Sequence, residues 1–156
     1  MKIKTMLQNP RERTRFLKFS VVGAIGALVD FGTLNLLMSL LNMEPKLLQA
    51  ISFTAAVTSN FIWNRVWTYP DSRSKSITSQ LVKFFLVNIF GLGIRTLIFS
   101  GLEEPFRNLF SKLRLLPIGF ITDDWLGINF TLGIAIVVVM FWNFFINRIW
   151  TYNDVD

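Results

Sequence analysis

The chain has 156 residues, 52% of them hydrophobic, and carries 16 Lys and Arg against 10 Asp and Glu for a net charge of +6. That apolar fraction exceeds what a soluble domain of this size needs, and the mean hydropathy of +0.46 agrees, so the expected solvent is a lipid bilayer. There is neither cysteine nor histidine. Disulfides are therefore excluded, and enzyme chemistry loses two of its commonest side chains.

In chain order, four apolar segments reach the roughly 20 helical residues that a bilayer core of about 30 Å requires: about 19 to 41, 47 to 69, 81 to 102 and 126 to 150. Basic residues precede the first, as in a signal peptide, but its length and the missing small-x-small cleavage site argue for a span. Residues Asn9 to Lys18, with Phe16 and Leu17 among the cations, are expected to lie along anionic headgroups as an interfacial helix. A tight turn at Asn42 and Pro45 joins the first two spans. The second span is the most polar, with Ser52, Ala56, Asn60 and Asn64 at four-residue steps, a row suited to lining a wet groove. A longer outer loop is expected over about 103 to 125. Its Phe106, Leu109, Phe110, Leu113 and Leu116 fall at near-helical spacing. The fourth span is almost wholly apolar until Asn143.

The surplus positive charge could suggest nucleic acid, so the placement of the cations arbitrates. Eleven of the sixteen lie before the first span, between the second and third, or at the end of the fourth. The opposite side holds only Lys46, Arg107, Lys112 and Arg114, and Arg95 falls inside the third span. By the positive-inside bias both termini are cytoplasmic, and nucleic acid is not the partner.

The string NFIWNRVWTY at 60 to 69 returns as NFFINRIWTY at 143 to 152, with seven of ten positions identical. Lys18 aligns with Lys83, Val22 with Val87 and Gly26 with Gly91, an offset of 65 that becomes 83 beyond the longer loop. The expected architecture is an all-α integral membrane protein, its four transmembrane helices forming two parallel-repeat hairpins about an axis along the membrane normal. Residues 1 to 18 form the cytoplasmic segment, 19 to 69 the first hairpin and 81 to 152 the second.

Within the odd helices Gly23, Gly26 and Asp30 share a face, and Asn88, Gly91 and Arg95 are their counterparts. An unpaired charge at the bilayer centre costs about 2.5 to 3.5 kcal/mol on insertion scales. Asp30 and Arg95 are therefore expected to approach each other across the pseudo-axis, the glycines allowing close backbone contact. In the repeated motif Trp67, Tyr69, Trp150 and Tyr152 look like an aromatic belt. Asn60, Asn64 and Arg65, with Asn143, Asn147 and Arg148, could instead offer amides and a guanidinium to a phosphate at headgroup level, or the asparagines could only cap or bridge helices. The carboxylate pairs Glu103/Glu104 and Asp123/Asp124 are sequence neighbours without a supporting base, nucleophile or metal set, so neither catalytic residues nor a metal or cofactor site is expected.

RFLKFSVVGAIGALVDFGTLNLL followed by NFIWNRVWTY resembles the opening hairpin of the GtrA-like family, and the likeness runs from about Arg15 to Tyr152. It implies a multi-pass protein of the bacterial cytoplasmic membrane that flips a polyprenyl-phosphate-linked sugar, for instance on undecaprenyl phosphate, to the outer leaflet for polysaccharide glycosylation. The phosphate would meet Asn60, Asn64, Arg65 and their counterparts, with Asp30, Asn88 and Arg95 along the crossing. Four helices make a thin wall around such a head, so a homo-oligomer is expected. Two alternatives stay open: an accessory subunit positioning a membrane glycosyltransferase, and a small exporter of hydrophobic cations using Asp30 as a proton-exchanging carboxylate.

Overall fold

The computed structural model describes residues 9–72, 74–113 and 122–155. These build four helices: α1, Pro10–Leu40; α2, Pro45–Trp63; α3, Ile77–Leu113; and α4, Asp123–Ile146. Each even helix continues into one turn of π-helix, π1 over Asn64–Thr68 and π2 over Asn147–Thr151. No strand occurs among the described residues. By length and composition α1, Ile77–Lys112 and Leu126–Thr151 can each cross a membrane. Helix α2 is the shortest at 19 residues, about 28 Å at 1.5 Å per residue, and its hydroxyl and amide side chains dilute its hydropathy. Leu28, Phe31, Phe90 and Leu97 are between 62% and 75% exposed. Large apolar side chains turned outward along such helices are at home against lipid and would be a liability in water.

Helix α1 starts where the Asn9 side chain accepts a hydrogen bond from the Arg11 amide at 2.9 Å and Pro10 takes the first turn, since neither position needs an amide partner further back. The helix then runs unbroken to Leu40. The interfacial segment expected over Asn9 to Lys18 is therefore no separate element, and its inner face is not laid on headgroups: Glu12 and Arg15 continue the buried stripe of Phe19, Val22 and Gly26. The expected outer loop also differs. Helix α3 passes through Pro105 and stays helical to Leu113, so the apolar spacing of Phe106, Leu109 and Phe110 belongs to a helix continuous with the span; Leu116 lies outside the described residues.

The chain divides into two compact units, one running up to Val87 and resuming at Phe144, the other holding Asn88–Asn143. The first is centred on Phe19, Val57, Phe61, Phe84 and Phe144 with Tyr69 and Tyr152. Its aromatic rings meet edge to face, Phe16 on Phe144 at 5.0 Å and Phe61 on Phe84 at 5.8 Å, the arrangement the ring quadrupole favours. In the second, α3 and α4 cross where Gly127 lies against the Arg107 backbone, and Phe106 and Phe110 flank Phe130 at 4.9 and 5.7 Å.

Candidate functional site

Both copies of the repeated string end in the same local structure. The Tyr69 amide donates to the Asn64 carbonyl at 2.7 Å and the Tyr152 amide to the Asn147 carbonyl at 2.8 Å, each closing a five-residue step that adds one residue to a helical turn. The extra residue carries the tyrosines inward. Both are fully buried and their rings stack at 4.3 Å and 17°. They are core residues, so the aromatic-belt expectation is corrected for them: a stacked pair sealed from solvent cannot anchor at a membrane surface. Trp67 and Trp150 do face outward, 39% and 41% exposed, with Lys18 over the first ring at 5.5 Å and Lys83 over the second at 5.9 Å.

A second contact recurs along the helices. A methyl on Gly26 would fall on the Asn60 side chain, and one on Gly91 would come within 2.8 Å of the Asn143 Oδ1. In both copies, then, the asparagine of the even helix fills a notch left by glycine in the odd helix. Gly23 has open space around it and does not share this role. The row Ser52, Ala56, Asn60 and Asn64 lies on the inner side of α2, with Ser52, Ala56 and Asn64 buried, rather than along a wet groove. An open groove of about 810 Å³ instead follows the outer face of α2, past Met43, Leu47, Thr54, Thr58 and Trp63.

Where the copies part company is in their polar groups. Arg148, 6% exposed, spends its guanidinium on the chain itself: Nε donates to Glu12 Oε1 at 3.0 Å, Nη1 to the Tyr152 carbonyl at 3.1 Å and Nη2 to the Val155 carbonyl at 3.0 Å. Glu12, 2% exposed, also accepts from Arg15 Nη1 at 2.6 Å, and Arg15 Nη2 reaches Asp71 at 2.8 Å. This arginine–glutamate–arginine core ties the start of α1 to the end of π2. Arg148 is therefore turned into the chain rather than toward a ligand, a correction that follows from its burial and from the internal bond each of its three nitrogens makes. Asn147 is likewise engaged, accepting from the Thr151 hydroxyl at 2.8 Å.

In the first copy the same positions are open. Among the described residues Asn60 Oδ1, Asn64 Oδ1, Arg65 Nη1 and Thr68 Oγ1 are buried from solvent without a hydrogen-bond partner. Buried polar atoms are rarely left so unless something else completes them. Of the other expected residues, Asp30 belongs to the first unit, part-buried, its Oδ1 shielded and unbonded among the described residues. Asn88, Arg95 and Asn143 belong to the second unit, where Arg95 is exposed and the two asparagines are part-buried.

Sequence reasoning passed over Glu12, Arg15, Asp71 and Thr68. The available signal was Glu12 itself, an acid set among Arg11, Arg13 and Arg15 where an anchor for anionic lipid would want none. A further tie closes this end of the first unit: Asp154 accepts from the Ser72 hydroxyl at 2.7 Å and the Ser74 hydroxyl at 2.6 Å. Partial burial pushes its carboxyl up, but these hydrogen bonds outweigh that and hold it below the ordinary aspartate range.

Long helices with large apolar side chains turned outward, and with buried polar groups near their ends, define a small membrane domain. It is not a catalytic fold. Residues 18–152 match the GtrA/DPMS transmembrane domain, and the chain belongs to that family. It is 29% identical over 137 residues to the uncharacterized membrane protein YngA of Bacillus subtilis, covering 88% of this chain and 78% of that one. It is also 35% identical over 104 residues to a dolichol-phosphate mannosyltransferase of Pyrococcus furiosus, a match covering 63% of this chain but spanning only 29% of the transferase. Membership connects the chain with membrane processes that handle polyprenyl-phosphate sugars.

Proposed function

We infer that the protein moves a polyprenyl-phosphate-linked monosaccharide from the cytoplasmic to the outer leaflet of the bacterial cytoplasmic membrane. The isoprenoid tail stays in hydrocarbon throughout. Only the head has to be sheltered, because its hydroxyls and phosphate lose hydration worth several kcal/mol when they leave water unpaired. The observation that supports this reading most is the open polar set Asn64, Arg65 and Thr68 of the first copy, whose second-copy counterparts Asn147, Arg148 and Thr151 are internally paired; Asn60 stands one turn before them on α2. The first copy receives the head and the second holds the end of the bundle. Asp30, Asn88 and Arg95 stand along the crossing, in two hairpins that run as a parallel repeat with both termini in the cytoplasm. Synthesis on one side and consumption on the other supply a downhill gradient. Copies of the chain associate to thicken the wall around the head.

The deciding experiment is reconstitution. Purified protein in liposomes, with no enzyme present, is expected to speed leaflet exchange of a fluorescent polyprenyl-phosphate sugar, and Asp30→Ala and Arg95→Ala are expected to remove most of that gain. Exchange at the rate of empty liposomes would overturn the reading. One observation favours a second: the mannosyltransferase relative contains a region like this chain within a longer protein, so the domain could position a glycosyltransferase at the membrane. On that reading liposomes show no exchange, while co-expression raises the activity of a partner transferase.

A further inference from the structure

Beside the open motif, in the first unit, lies a pocket of about 490 Å³ between the first turns of α1 and the end of π1, lined by Arg11, Thr14, Arg15, Lys18, Thr68 and Asp71. We propose that it is a binding site for a phosphate ester, with Arg11 and Lys18 supplying charge and the Thr68 hydroxyl supplying a directed donor, the Thr14 hydroxyl already donating to the Pro10 carbonyl at 3.1 Å. This deepens the proposed function, on which it rests for the lipid source of the phosphate: the phosphate docks here, leaving Asn60, Asn64 and Arg65 for the sugar hydroxyls.

Three observations carry it. Thr68 is 2% exposed and lines the pocket, yet its hydroxyl has no partner among the described residues. The same threonine in the second copy, Thr151, bonds Asn147, so the motif can satisfy itself and does so only where no pocket needs the hydroxyl. Two of the three cations are also particular to the first copy. Positions 11 and 15 align with Ser76 and Gln80 at the offset of 65, while Lys18 keeps a lysine in Lys83. Duplication has thus left the first copy the more basic of the two at these positions. Asp71 does not cancel the field, since Arg15 holds it at 2.8 Å. The positive end of the α1 dipole, at Pro10 and Arg11, adds to the attraction. Lys18 is held only loosely, donating to the Trp67 carbonyl at 3.3 Å, and is free to swing onto an anion.

The test uses the full chain in maltoside micelles, which carry no phosphate, with binding followed by native mass spectrometry. Decaprenyl phosphate is the probe, with decaprenol and sodium phosphate beside it. The expected result is that decaprenyl phosphate binds, decaprenol binds at least about tenfold more weakly, and Arg11→Gln and Lys18→Gln each weaken the phosphate about tenfold, the worth of one charge-assisted hydrogen bond. Lys83→Gln leaves binding unchanged. Thr68→Val weakens binding without lowering the melting temperature, because the hydroxyl gives up no internal bond, whereas Thr151→Val lowers it. Sodium phosphate binding with the same losses in Arg11→Gln and Lys18→Gln supports the site with the free anion as its source. Equal binding of decaprenol, or equal loss in Lys83→Gln and Lys18→Gln, overturns it. Flipping in liposomes separates this proposal from the one beneath it: binding without flipping leaves the site and removes translocation, and flipping that survives Arg11→Gln and Lys18→Gln does the reverse.

Discussion

At the scale of residues, two arginines in identical sequence surroundings have different work. Arg148 stands in a buried network with Glu12, and removing one member of such a network leaves an uncompensated charge worth about 3 to 5 kcal/mol. Glu12→Ala and Arg148→Ala are therefore expected to lower the melting temperature in detergent sharply. Arg65 has an open donor, so Arg65→Gln should melt within a few degrees of the parent and lose transport; normal transport in that variant would remove Arg65 from the head-binding set. The glycines divide in the same way. Gly26→Ala drives a methyl into Asn60, an overpacking worth about 1 to 3 kcal/mol, and Asn60→Ala in the same chain should relieve it, whereas Gly23→Ala meets nothing and is expected to be neutral. Sequence singled out Asn60, Asn64 and Arg65 because polar groups in an apolar run demand partners. It could not tell them from Asn147 and Arg148, since what separates the copies is Glu12, about 136 residues from Arg148, a distance no local pattern spans.

Among elements, the helices were legible because segments of about twenty mostly apolar residues have few other uses. Their ends were not. Pro105 with two glutamates before it reads as a break, yet α3 continues, its far part braced where α4 brings Gly127 against the Arg107 backbone and the Thr131 hydroxyl reaches the Leu102 carbonyl at 3.4 Å. Because backbone cannot yield as a side chain can, Gly127→Ala is expected to loosen that crossing and raise hydrogen exchange over residues 100–113, while Gly93→Ala, which meets nothing, should leave it unchanged. The π turns were invisible for a different reason: they differ from α-helix by one hydrogen-bond step, and no residue preference announces them. Their inward tyrosines, set beside Trp and Arg at a helix end, have the sequence pattern of interface anchors. The segment after π1 makes its own prediction. A carboxyl held below its ordinary range stabilises the folded state above that range and loses the contribution as pH falls through its lowered value. The Asp154 tie to Ser72 and Ser74 should accordingly open only on acidification past the ordinary aspartate range. Hydrogen exchange at Ser74 reports it, and Asp154→Asn should flatten the dependence.

For the molecule as a whole, the contacts that join the helix ends of the first unit bear on topology. The start of α1 is tied to the end of π2 through Glu12 and Arg148, and the ends of π1 and π2 are tied through the stacked tyrosines. These ends lie together in the first unit, and on the proposed function α2, whose 19 residues fall just short of a hydrocarbon core of about 30 Å, crosses together with π1 to bring its end there. On that reading the cations gathered at this end are cytoplasmic. Because the chain has no cysteine of its own, single cysteines can be introduced without background. Met43→Cys, in the turn between α1 and α2, is expected to react with a membrane-impermeant maleimide added to intact spheroplasts, whereas Asn153→Cys is expected to react only after the membrane is opened. Both positions are exposed, so a failure to label reports sidedness rather than burial. If Met43→Cys and Asn153→Cys label together from outside, α2 does not span, the two halves are not equivalent hairpins, and the open polar set of the first copy cannot face the cytoplasmic pool from which a lipid-linked sugar would be drawn.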